Sequence, residues 1–126
     1  MLLLFVQSCK ADDNCRNPET QSAMNICSGI KLDKIEKELE AKVNGINKHL
    51  KIIDGSTVFN KANEAWIIFR NLHCESISKI YESGSIHSLI ESECKIMMTK
   101  ERIYSLDSDY KDTIDTILNG DSGANK

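Results

Sequence analysis

Proline is almost missing from this chain: Pro18 stands alone, and only six glycines are spread over 126 residues. A turn-rich β fold needs more of both, so their scarcity points to long helices with few breaks. Basic excess is missing too. Sixteen Lys and Arg against nineteen Asp and Glu leave a net charge of −3, and no basic stripe exists to replace phosphate counterions, which argues against nucleic acid as a partner. No Cys-x-x-Cys pair occurs among Cys9, Cys15, Cys27, Cys74 and Cys94, which removes the short-spacing signature of zinc ribbons and thioredoxin-type redox sites. The chain has no Gly-rich phosphate loop, no His-Glu-x-x-His and no Ser-His-Asp order, so an enzyme lacks a positive signal and nothing calls for a cofactor. His49, His73 and His87 are too dispersed to suggest a metal. His73 and Cys74 are neighbours that point about 100° apart on a helix.

What is present is helical periodicity. Leu32, Ile35, Leu39, Val43, Ile46, Leu50 and Ile53 recur every three or four residues, the spacing of a near-heptad seam. Pro18 and Glu19 announce the start of that helix, which is expected over about 20–53, with Gly29 and Gly45 as weak points. The seam suits a coiled-coil dimer or, the preferred reading, a helix onto which the following helices fold back. Asp54-Gly55-Ser56-Thr57 is the first break, with Gly as stop and Ser or Thr as N-cap. A second helix is expected over 58–82, then a break at Ser83-Gly84-Ser85. A third starts near Ile86, carries Ile90, Cys94 and Met97 on one face, and either continues or resumes after a bend near Leu106-Asp107-Ser108. Beyond these residues Tyr110, Ile114 and Ile117 continue the pattern. Residues 119–126 contain no large apolar residue and are read as a disordered tail. The expected fold is an all-α bundle of three to four helices forming one domain over 12–118.

The second helix holds the stretch from Ala62 to Cys74, including the only tryptophan. Ala62, Trp66, Phe69 and His73 fall on one face, widened by Ala65 and Leu72, and this face is expected to be core. Arg70, one turn after Trp66, is placed to lay its stem on the indole or to pair with a carboxylate.

The amino terminus opens on Leu-Leu-Leu-Phe-Val, which reads as the end of a secretory hydrophobic region, making 1–11 the remnant of a signal or lipoprotein leader. Val6-Gln7-Ser8-Cys9 loosely matches a lipobox, so Cys9 is a candidate for lipidation and membrane anchoring; cleavage after Ala11 is the other outcome. Either one leaves four cysteines, an even count that suits disulfides in an oxidising compartment.

Asn14-Cys15, eleven residues and then Cys27, with Thr20 to Cys27 closing the loop, resembles the first signature of the LprI-type lysozyme-inhibitor family. Ala65 to Asn71 followed by Cys74 resembles the second, through Trp66 and Arg70. Gly84-Ser85, Glu93-Cys94 and Glu101-Arg102 with Leu106 resemble the third. The family's Gln-Arg before the alanine and tryptophan is here Asn63-Glu64, and its tyrosine at the end of the first helix is missing. The resemblance implies a small helical protein exported to the bacterial envelope, periplasmic or secreted, with a lysozyme-type glycan hydrolase as partner and inhibition as activity. Trp66, Arg70 and Arg102 become signature residues with a structural role. Four cysteines allow three connectivities. Locality and the family's habit of sequential pairs favour Cys15–Cys27 and Cys74–Cys94. The inhibitory surface is not marked; the turns over 54–57 and 81–87 are the two conceivable protrusions. The alternative reading is a structural or interaction module of the envelope without a lysozyme target.

Overall fold

The computed structural model describes residues 15–120. Among them are three long helices and no strand: α1 (Gln21–Leu50), α2 (Ser56–Ser78) and α3 (His87–Leu118). The leader over 1–11, Cys9 with its lipidation, and the tail beyond Gly120 lie outside the described residues.

Thr20 starts α1. Its backbone is extended and its hydroxyl accepts from the Ala23 N–H at 3.0 Å, satisfying one of the four donors that every helix start leaves open. Pro18 lies two residues before this cap rather than in the first turn. The helix runs through Gly29 and Gly45 without interruption, because its seam is held along most of its length: Ile35, Leu39, Val43, Ile46 and Leu50 are buried. Ile53, expected in the same seam, is exposed, since the chain has by then tightened into a 3-10 turn over Lys51–Ile53. The stop is not Gly55. Asp54 takes the left-handed conformation at φ 58°, one that Asp tolerates better than most residues, and the Gly55 N–H bonds back to the Leu50 carbonyl at 2.8 Å. Ser56 and Thr57 fall inside α2, and the N-cap position is Gly55 without a side-chain bond.

A second 3-10 turn, Lys79–Tyr81, follows α2. The loop after it is pinned to α1 by Asn25, whose Nδ2 donates to the Ser85 carbonyl at 3.1 Å. Of the two readings near Leu106 the structure has the continuous one: α3 is one helix to Leu118. Leu106 is fully buried, while the adjacent Asp107 turns outward to an ion pair with Lys42. The polar residues that suggested a break are simply the solvent side of a helix whose apolar side is fully used.

Since α2 runs back down the bundle, α1 and α3 are parallel, and they form the main interface. Ser28 bonds Glu93 at 2.8 Å, and Lys42 pairs with Asp107 across the same sequence offset. Two contacts so far apart at one offset mean that the near-heptad seam of α1 is spent on α3, inside the chain. The two halves of the bundle differ. The hydrophobic cluster of Leu39, Val43, Ile46, Leu50, Phe59 and Leu106 occupies one half, with Ile103, Tyr110, Ile114 and Ile117 against it. The other half buries Ile35 and Ile96, but mostly Cys27, Ser28, Arg70, Cys74, Ser78 and Thr99: small or polar groups that need bonds rather than area to hold them.

Candidate functional site

Two disulfides supply those bonds. Cys15 joins Cys27, tying the segment before α1 onto its first turns, and Cys74 joins Cys94, stapling α2 to α3. Cys74 is fully buried, and its Sγ touches the Met98 Sδ at 3.6 Å. Met98 therefore turns inward, whereas Met97, expected on the inner face, is exposed.

Trp66, Arg70 and Arg102 form one cluster. Arg70 is buried, an uncommon place for a guanidinium, and its donors are taken up within the chain. Nη1 donates to the Thr99 hydroxyl at 3.1 Å, and Nε and Nη2 donate to Asn71 Oδ1 at 3.1 and 2.9 Å. Nη2 also pairs with Glu36 at 3.1 Å. Thr99 can accept because its own proton goes to the Lys95 carbonyl at 2.6 Å. The Arg70 and Arg102 guanidinium carbons lie 5.6 and 5.7 Å from the indole centroid, within cation–π range. Arg70 thus ties all three helices together, and the geometry leaves it little to offer a ligand. Trp66 is only half-buried and borders the hydrophobic cluster; the buried aromatic is Phe59, edge-on to Tyr110 at 5.2 Å.

The face of α2 expected to be core is largely outside. The helix buries Phe59, Arg70, Cys74 and Ser78, with Asn63 and Trp66 half-buried beside them. Turned away from that face, Val58 is 73% exposed, Ile68 60%, Phe69 58% and Leu72 60%, and Ala62, Ala65 and His73 are exposed with them. The physical reason is the staple: Cys74 must face α3, and this fixes the rotation of the helix for Arg70 and Ser78 as well. Sequence periodicity found the stripe but assigned it to the wrong side. The contrary signal was a second stripe at the same spacing that ends in a cysteine.

Of the two turns expected as protrusions, 81–87 exposes Tyr81 and Ile86, whereas 54–57 exposes Asp54 and Thr57 with Gly55 and Ser56 half-buried; Ile52, Ile53 and Ile80 are exposed just before them. Of the carboxylates, Glu93 is bonded to Ser28, while Glu64 and Glu101 point to solvent. His49 contacts its own helix through Nδ1 and the Gly45 carbonyl, 2.9 Å apart. Between α1 and α3 runs a groove of about 840 Å³, floored by Ile46, Ile103, Leu106, Tyr110 and Ile114 with Lys42 and Asp107 on its rim. Among the described residues no group of three His, Cys, Asp or Glu could hold a metal ion, and no helix is long and apolar enough to cross a membrane.

A protein-family model described as Lysozyme inhibitor LprI matches residues 11–106. No curated protein and no solved structure matches the chain.

Proposed function

This chain belongs to the Lysozyme inhibitor LprI family, and on that premise we propose that it binds a lysozyme-type glycan hydrolase and inhibits it by steric occlusion. The family match over most of the chain is the observation that carries this reading. The working unit is the domain over 12–118, in the bacterial envelope, either released by cleavage after Ala11 or held to a membrane through a retained, lipidated Cys9. Trp66, Arg70 and Arg102 serve the scaffold and not the partner. The geometry supports an inhibitor that works by shape. Two disulfides and the Arg70 tie hold three helices in one arrangement, so little freedom remains to be lost when a partner docks. An inhibitor of this kind needs no acid, nucleophile or metal of its own.

The net charge of −3 favours encounter with a basic hydrolase, and such steering weakens as salt shortens the range of the field. Lysis of peptidoglycan by several lysozymes, followed with and without the oxidised protein, tests the proposal. The expected result is saturable inhibition of at least one of them, with affinity falling roughly tenfold between about 20 and 200 mM salt. Undiminished lysis by every lysozyme at micromolar protein, with the helices intact by circular dichroism, rules the reading out and leaves the envelope interaction module.

A further inference from the structure

We infer that the outer face of α2, the ridge of Val58, Ala65, Ile68, Phe69 and Leu72, is the surface that enters the catalytic cleft of the hydrolase. This rests on the reading above and gives it a site. Four observations lead to it. Val58, Ile68, Phe69 and Leu72 are large, apolar and more than half exposed, Ala65 is exposed among them, and no other described element covers them, although a contiguous apolar patch on a small protein normally marks a contact surface. The ridge is convex. A glycan hydrolase binds its substrate in a cleft, and a helix whose side chains recur at i, i+3, i+4 and i+7 is a known way to fill an apolar groove. The groove between α1 and α3 is concave and cannot do this.

The third observation is charge. Glycan hydrolases carry a pair of catalytic carboxylates between their subsites. The apolar positions of the ridge carry no charge; Lys61 and His73 lie beside them, with Glu64 and Glu75 exposed along the edge next to Ile68. His73 lies stacked on Phe69, with ring centroids 5.6 Å apart and planes 22° from parallel. The pair offers a flat ring to a wall shaped for sugars and an imidazole to a carboxylate. The fourth is rigidity. The ridge is anchored at both ends, by Phe59 against Tyr110 and by the Cys74–Cys94 bond, with Arg70 fixed between them. From Val58 to Leu72 it is about 21 Å long, enough to cover several sugar subsites.

The test uses the oxidised full chain with Phe69→Asp and Leu72→Asp together, the same pair changed to Lys, and Tyr104→Asp as a control on exposed α3. Each is scored for lysozyme inhibition, binding affinity and melting temperature. The Asp pair is expected to weaken inhibition and binding by about 30-fold or more, as loss of a central anchor does. The Lys pair loses less, because the cleft is acidic, and the control stays within about twofold. Wild-type protein that inhibits, beside an Asp pair that folds and inhibits equally well, overturns the ridge and leaves the family function standing. Wild-type protein that inhibits nothing removes both. A dimer seen by sedimentation that the Asp pair dissolves, with hydrolase binding unchanged, assigns the ridge to a second copy of the chain and also overturns the inference.

Discussion

Reduction of the two disulfides lowers the melting temperature by about 20 °C and opens one half of the bundle first. In the chain-entropy treatment, the bond closing 20 residues between Cys74 and Cys94 and the one closing 12 between Cys15 and Cys27 contribute about 3 kcal/mol each. Together that is a large share of the roughly 5–15 kcal/mol that holds a small domain folded, and the stated shift follows from the usual entropy of unfolding per residue. The loss is unevenly distributed. The half around Ser28, Cys74, Ser78 and Thr99 has few large apolar groups to fall back on, whereas the half around Leu39, Ile46, Phe59 and Leu106 keeps its cluster. Hydrogen exchange on the reduced protein should therefore show the amides of 24–31 and 74–94 exchanging well before those of 39–50. Thermal melts with and without reductant check the size of the effect. A shift below about 5 °C would mean that packing alone carries that half.

Replacing Arg70 by Ala costs about 3 kcal/mol, or roughly 10 °C in melting temperature. The side chain is buried, and its removal takes the donor from Thr99 Oγ1, which keeps only its bond to the Lys95 carbonyl, leaves Asn71 Oδ1 without its guanidinium, takes a cation off the Trp66 ring and opens a cavity where the three helices meet. Arg70→Lys recovers only part of this, because an ammonium cannot reach Thr99, Asn71 and Glu36 together in the planar fork of a guanidinium. The ion pair itself is the small part. Glu36 is 43% exposed, so Glu36→Gln should cost no more than about 1 kcal/mol. Chemical denaturation of the three variants checks the order Ala, Lys, Gln. A Glu36→Gln effect as large as that of Arg70→Ala would show that the pair, and not the hydrogen bonds and packing, holds the helices together.

The fold was legible where one kind of interaction decides it. Scarce proline and an unbroken apolar seam from Ile35 to Leu50 describe α1 well, because that seam is buried along its length, against α3 and Phe59 of α2. Family habit and locality gave the cysteine pairs that the structure forms. Whether the third helix continues or bends at Leu106-Asp107-Ser108 stayed open in the sequence because the Lys42 pair and the burial of Leu106, which decide it, both reach across to another helix. The rotation of α2 was misread for a similar reason. A helix with an apolar stripe on one side and Asn63, Arg70 and Ser78 on the other looks, by hydrophobicity, as though the stripe should be buried. Only the pairing of Cys74, a contact distant in sequence, turns the polar side inward. That inversion is also the useful part: a helix that buries Arg70 and shows Phe69 leaves an apolar surface exposed.

Cleavage of a short soluble chitooligosaccharide by lysozyme, followed as oxidised protein is titrated in, tests steric occlusion of the cleft most directly. Such a substrate needs only the cleft, whereas a polymer can also be blocked by a protein bound nearby. Occlusion predicts that turnover of the oligosaccharide falls to near zero at saturation, at the same protein concentration that stops peptidoglycan lysis. Full turnover of the oligosaccharide while lysis is blocked, or no effect on either substrate, would contradict it.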